Sequence, residues 1–226
     1  MREYHKIDSL WKRDMTQKTH PIILGSYANP IFALLKDLEW EWTEKIDGTN
    51  IRVHWDGAAV KLGGRTDAAQ TPIDLIERLQ QIFPPEKMAE VFGEKGGITL
   101  YGEGYGEGYG AGIQKGGGYI PKSKDFILFD VTGGDDHPVW FRRQDVEGIA
   151  QRLGIKWTPV VGSGTIAQAV AKAREGFVSL VSADPKMMSE GLVIRPVVEL
   201  RDRFGHRVIT KVKYRDFDNV VEAAAG

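Results

Sequence analysis

Apolar and polar positions alternate over residues 38–46, with Trp40, Trp42 and Glu44 on one side and Glu41, Thr43 and Lys45 on the other. That pattern predicts a strand delivering Lys45 to the lip of a sheet. A sharper alternation follows: Ile51, Val53 and Trp55 lead up to Asp56-Gly57, and Ala58, Val60 and Leu62 lead away from it. Asp-Gly between alternating runs predicts a two-residue hairpin, because both turn positions favour left-handed backbone. In that register Trp55 faces Ala58, Val53 faces Val60 and Ile51 faces Leu62 on a buried face. Asn50, Arg52, His54 and Lys61 then fall on the opposite face, which is polar and basic.

The period changes at residues 72–83, where Ile73, Ile76, Leu79 and Ile82 form a helical stripe behind Thr71 as N-cap and Pro72 in the first turn. Pro84-Pro85 stop it, and a shorter helix over 86–92 ends at Gly93. Residues 98–101 and 126–131 read as buried strands, and 143–153 and 166–175 as helices closed by Gly154 and Gly176. Strands over 190–195 and 207–214 complete the pattern. Hairpin-linked strands with helices between them predict an α+β fold with antiparallel sheets in a single domain spanning 1–226. The Gly-rich run from Tyr101 to Gly110 reads either as a surface loop or as a wall that lets a ligand approach the backbone closely. It is no phosphate-binding P-loop, since no Gly-Lys-Ser/Thr opens a helix there.

Composition narrows the class of protein more than its function. Lys plus Arg total 30 and Asp plus Glu 31, a formal net charge of -1, so any nucleic-acid surface must be local. The chain has no cysteine, which removes disulfides, thiolate nucleophiles and Cys-ligated zinc and fits a reducing cytoplasm. No signal region precedes the charged N-terminus, and no apolar stretch approaches the roughly 18 residues of a membrane span. A cytoplasmic protein without membrane contact is expected.

The candidate chemistry centres on Lys45, in Glu44-Lys45-Ile46-Asp47-Gly48-Thr49-Asn50. Gly64-Arg65, Tyr101-Gly102-Glu103, Phe129-Asp130, Glu190 to Arg195 and Lys211-Val212-Lys213 follow it in order. A lysine nucleophile must be neutral, against an ordinary pKa of about 10.4; neighbouring cations and partial burial favour that form. Lys211 and Lys213, two apart on one strand, project from one face and can supply those cations. Attack on the α-phosphate of a nucleotide would give a lysyl phosphoramidate, with Lys211, Lys213 and Arg65 countering phosphate charge. Glu190 is the first candidate for magnesium, and Glu103 for ribose hydroxyls or a second metal contact. Phe129 could stack on a base. Each residue alone also suits a plain structural role, such as Phe129 in the core or Lys211 and Lys213 on a solvated face; their joint order carries the functional reading.

That order resembles the covalent nucleotidyltransferase superfamily of ATP-dependent ligases and mRNA capping enzymes, most closely the RNA ligases of the phage nick-sealing type. The resemblance covers roughly residues 40–215. It implies an antiparallel-sheet, ATP-grasp-like nucleotidyltransferase core with flanking helices. It further implies ATP as substrate with Mg2+ or Mn2+, AMP carried on Lys45, and transfer of that AMP to an RNA 5′-phosphate. A 3′-hydroxyl would then displace AMP and leave a phosphodiester. By the same resemblance Glu44 and Ile46 recognise the adenine edge, Arg65 contacts ribose and the RNA end, and Glu103 binds the ribose hydroxyl. Phe129 stacks on adenine, Glu190 associates with metal, and Lys211 and Lys213 hold the α-phosphate.

Asn50 in the first motif favours RNA ligases, whose DNA counterparts usually carry Arg there, whereas Asp47 is shared with DNA ligases. A minimal DNA ligase, a GTP-using capping-type transferase and a non-catalytic nucleic-acid-binding module are the alternatives. No OB or helical domain is expected around the core, so nucleic-acid affinity would come from a protein partner or from Arg52, Lys61, Arg65, Lys115, Lys122 and Lys124. The expected partners are ATP and RNA, as a nicked duplex or as ends bearing 5′-phosphate and 3′-hydroxyl.

Overall fold

The structure is a computed structural model that describes residues 1–107 and 119–222. Its elements run β1 (Trp11–Arg13), β2 (Ile22–Tyr27), α1 (Pro30–Leu34), β3 (Trp40–Glu44), β4 (Thr49–Trp55) and β5 (Val60–Gly63). There follow α2 (Ile73–Ile82), α3 (Pro85–Phe92), β6 (Ile98–Gly106), β7 (Lys124–Gly133), β8 (Val139–Trp140), α4 (Arg143–Leu153) and β9 (Lys156–Trp157). The chain closes with β10 (Val160–Gly164), α5 (Ile166–Glu175), β11 (Gly191–Pro196), β12 (Thr210–Lys213), a 3-10 turn over Tyr214–Asp218 and β13 (Val220–Glu222). The fold is α+β and dominated by antiparallel pairing, as the alternating strands require. Among the described residues no helix is long and apolar enough to cross a membrane.

Packing divides the chain into two compact units, each with its own core. The first comprises residues 1–5, 46–158 and 181–184. Its sheet has the order β5-β4-β6-β7-β8, with β9 pairing parallel to β7. One face carries Ile51, Val53, Trp55, Leu100, Phe126 and Leu128 against Leu75, Leu79 and Ile82 of α2 and Val146, Ile149 and Leu153 of α4. The second unit comprises 6–45, 159–180 and 185–226. It holds an antiparallel sheet of order β10-β3-β11-β12 and a small sheet of order β1-β2-β13. Its core gathers Trp40, Trp42, Leu192, Ile194 and Val212 with Ile166, Ala169 and Ala173 of α5. Thr165 caps α5 in a reciprocal capping box with Gln168.

Three local expectations change. The β4–β5 connection is longer than two residues: Trp55 pairs with Val60 and Val53 with Leu62. The Asp56 carboxylate accepts the N–H of Ala58 and of Ala59, at 3.1 and 2.8 Å, and so stabilises the wider turn. A slip of two residues keeps the buried face buried. In α2 the buried stripe is Leu75, Leu79 and Ile82, while Ile73 is exposed and Pro72, not Thr71, precedes the helix. The run from Tyr101 to Gly106 is buried strand rather than loop. A Cβ at Gly102 would come within 2.2 Å of the Phe126 ring, so the core fixes glycine there.

Candidate active site

In the second unit, β3 ends at Glu44 and the next residue is Lys45, whose backbone N–H donates to the Gly191 carbonyl at 2.9 Å. β11 lies between β3 and β12, with Leu192 opposite Glu44 and Gly191 opposite Lys213. Glu190, immediately before β11, is thereby held between two lysines: Lys45 Nζ is 2.5 Å from its Oε2 and Lys213 Nζ is 2.6 Å from its Oε1. Gly191 follows with φ +144°, and a Cβ there would sit 2.2 Å from the Val212 carbonyl. Only glycine lets the strand turn in directly behind Glu190.

The electrostatics follow from this crowding. Burial pushes the Glu190 carboxyl upward, but Lys45 and Lys213 outweigh it and hold the group below its ordinary range. Lys211, half-buried on β12, is lowered to about 8, chiefly by burial and further by Lys213 and Lys45, with Glu190 and Asp8 opposing. Glu44 is raised by burial, opposed by hydrogen bonds from Ser179 and from the Leu180 N–H. Its Oε1 is buried without a hydrogen-bond partner among the described residues. An acceptor left over in that way suits a ligand donor such as an exocyclic amine.

The first unit carries the remaining candidates on the sheet face opposite its core. Asn50 of β4 pairs with Glu103 of β6, which pairs with Ile127 of β7. The Asn50 Oδ1 and the Tyr105 hydroxyl are buried and unpartnered among the described residues, and Glu103 is partly exposed. Tyr101 pairs with Asp130 and Gly102 with Leu128, which makes Phe129 the extra residue of a β-bulge. Its half-buried ring meets Tyr4 edge-on at 5.0 Å. Ile46 is buried at the start of this unit, and the nearby Asp47 N–H donates to the Tyr119 hydroxyl at 3.3 Å.

The expected basic face is corrected at Arg52. Its side chain is fully buried, with Nε donating to the Gly64 carbonyl at 2.6 Å and other nitrogens to Met1 O and Asp67 Oδ1 at 3.1 and 2.8 Å. Residues 1–5 cover this face: Tyr4 donates to Asp130 at 2.6 Å, and the Tyr101 hydroxyl donates to Arg2 O at 3.2 Å. Arg52 therefore braces the loop that presents the exposed Arg65 and has no side-chain surface left for a phosphate. Lys61 is exposed and paired with Asp56 at 3.0 Å, Lys124 is paired with Asp74, and Lys122 is exposed. Lys115 lies outside the described residues.

Among the described residues, no three His, Cys, Asp or Glu side chains are grouped as a metal cage. Glu190 still fits magnesium or manganese, because such ions need only one or two carboxylates, completed by water and substrate phosphates. Sequence reasoning missed the Ser179–Leu180 contacts to Glu44 and the Tyr119 hydrogen bond, for which no local pattern offered a signal.

The family model described as RNA ligase matches residues 38–213. No curated protein sequence matches the chain. Solved structures of Naegleria gruberi RNA ligase share its fold. An apo variant gives a TM-score of 0.61 at 20% identity, covering 83% of this chain and 53% of that one. A variant with ATP and Mn gives 0.62 at 19% identity, covering 94% and 60%. A variant with AMP and Mn gives 0.61 at 18%, covering 83% and 53%. The chain thus spans less than two thirds of the length of those proteins.

Proposed function

The chain belongs to the RNA ligase family, and from that premise we propose that it is an ATP-dependent RNA ligase whose nucleotidyltransferase domain spans this sequence. The observation that carries this reading is the Lys45–Glu190–Lys213 cluster, assembled from three distant segments at 2.5 and 2.6 Å with Lys211 beside it. Once deprotonated, the Lys45 amine attacks the α-phosphate of ATP. An N–P bond forms, the bond from Pα to the bridging oxygen breaks, and pyrophosphate leaves with the electron pair while the amine proton passes to solvent. Lys211 and Lys213 stabilise charge on the α-phosphate oxygens. Magnesium or manganese, when bound, neutralises further phosphate charge, and Glu190 is the proposed ligand, with Glu103 as the second candidate. In the second unit the Glu44 oxygen left without a partner among the described residues is the proposed acceptor for the adenine edge. For the first unit the family resemblance implies that Ile46 and Phe129 serve the base, Glu103 and Arg65 the ribose, and Asn50 the nucleotide. AMP then passes to an RNA 5′-phosphate as the N–P bond breaks and the Lys45 amine is restored, and a 3′-hydroxyl attacks that 5′-phosphorus, displacing AMP and leaving a phosphodiester. ATP and Mn in the Naegleria gruberi structures support the same cofactors here.

A nicked duplex as substrate, a protein partner that adds nucleic-acid affinity and a cytoplasmic location form part of the same proposal. Incubation with labelled ATP and magnesium is expected to label the protein covalently, and sealing is expected to prefer an RNA 3′-hydroxyl strand at a nick. Preference for a DNA 3′ end would replace the assignment with a DNA ligase.

A further inference from the structure

Beyond β12 the charge row of the second unit continues. Residues 8–10 lie along the open edge of β12: Ser9 bridges Lys211 in parallel, Leu10 N–H donates to Lys211 O at 3.0 Å, and Lys211 N–H donates to Asp8 O at 3.2 Å. The Thr210 hydroxyl also donates to Asp8 O, at 2.9 Å. Successive strands lie about 4.8 Å apart, so four neighbours carry Lys45, then Glu190, then Lys211 and Lys213, then the N-terminal segment.

A cavity of about 440 Å3 opens between that segment and β12, lined by Lys6, Asp8, Lys12, Arg13, Lys211 and Lys213 among others. Asp8 is its one carboxylate among the described residues. Arg13 is paired with Asp216 at 2.8 Å and Lys213 with Glu190, but Lys6, Lys12 and Lys211 form no ion pair among the described residues. Trp11 also lines the cavity, and its buried indole N–H has no hydrogen-bond partner among the described residues. Unpaired cations, an unused donor and a cavity together describe a site for a polyanion rather than a solvated strand face.

We propose that this cavity holds the leaving pyrophosphate of ATP, with Lys6 and Lys12 as its specific cations. The inference rests on the function proposed above. In phosphoryl-type transfer the nucleophile and leaving group lie roughly in line through phosphorus. With Lys45 at one end of the row and the α-phosphate over Lys211 and Lys213, the β- and γ-phosphates point to the end where the N-terminal segment lies. Charge accumulates there as the bridging bond breaks, and fixed cations stabilise it.

The test uses the full chain with Lys6→Gln and Lys12→Gln combined; both side chains are exposed, so the fold is not at risk. Affinities for ATP and for AMP are measured by calorimetry without metal, and pyrophosphate is titrated onto isolated lysyl-AMP protein to drive ATP re-formation. The expected result is an ATP affinity at least tenfold weaker, an AMP affinity changed less than twofold, and a half-maximal pyrophosphate concentration at least tenfold higher. Unchanged ATP affinity, or equal losses for ATP and AMP, would overturn the proposal while leaving the enzyme assignment standing. Wild-type protein that neither binds ATP nor forms lysyl-AMP would overturn both.

Discussion

The two compact units use charged residues in opposite ways. In the second unit three lysines crowd one carboxylate at a sheet edge, and Lys45 and Lys213 stay partly exposed, at 20% and 16% of their side-chain surface. In the first unit Arg52 is fully buried, and its donors go to two carbonyls and Asp67. Accessible, mutually opposed charges can be rearranged by an incoming polyanion, whereas a buried charge with satisfied hydrogen bonds is fixed and serves position. The difference separates residues proposed for chemistry from residues that hold the scaffold still, and it can be broken at defined points.

The largest effect is expected from Glu190→Ala. It leaves Lys45 and Lys213 without their shared carboxylate, and covalent AMP labelling should drop by about 10^3-fold. The melting temperature should change little, because the paired amines reach water. A variant that labels at the wild-type rate would show the cluster to be structural only.

Arg52→Ala should act through stability instead. Loss of a buried guanidinium with three hydrogen-bond partners is expected to cost about 3 kcal/mol in denaturant unfolding. Asp67→Ala, at a side chain 79% exposed, should cost less than about 1 kcal/mol. Equal costs for the two would contradict the bracing role.

Lys211 supplies a pH test. Its folded value of about 8 lies below the ordinary lysine value of 10.5. The charged form is thus disfavoured in the fold, a penalty present below about pH 8 and relieved as pH rises toward 10.5. With the phosphate role proposed for Lys211, nucleotide affinity has the reverse dependence: ATP affinity should weaken several-fold as pH rises through about 8. Lys211→Arg, which keeps its charge, should flatten that profile. A wild-type affinity independent of pH from 7 to 9.5 would remove Lys211 from the phosphate site.

An effect on base selectivity rather than on affinity is expected at Glu44. If its free oxygen accepts the adenine amine, Glu44→Gln should shift discrimination between ATP and GTP by about tenfold while leaving stability within about 1 kcal/mol. An unchanged ratio would place base recognition elsewhere.

Much of this was readable in the sequence wherever period and punctuation agree. The helices ending at Gly154 and Gly176 run over Arg143–Leu153 and Ile166–Glu175, the expected bounds. Glu190 meets both Lys45 and Lys213 because neighbouring antiparallel strands bring their ends to one place, and the order of these residues along the chain pointed to such a cluster. Long-range coverage was not readable. The polarity of Arg52 suggested a solvent face, and nothing local signals that residues 1–5 lie over it. The Gly-rich strand misled for a related reason: Gly102 is dictated by Phe126, a residue on the neighbouring strand. Strands β1 and β13 have three residues each, too few for a period to show, and the six of β2, Ile22–Tyr27, do not alternate.

The central claim concerns the amine of Lys45, and covalent labelling tests it most directly. Wild-type protein incubated with α-labelled ATP and magnesium should give a labelled band that survives denaturation and is absent in Lys45→Ala. A band that persists in Lys45→Ala, or no band in the wild type with any nucleotide, would contradict it.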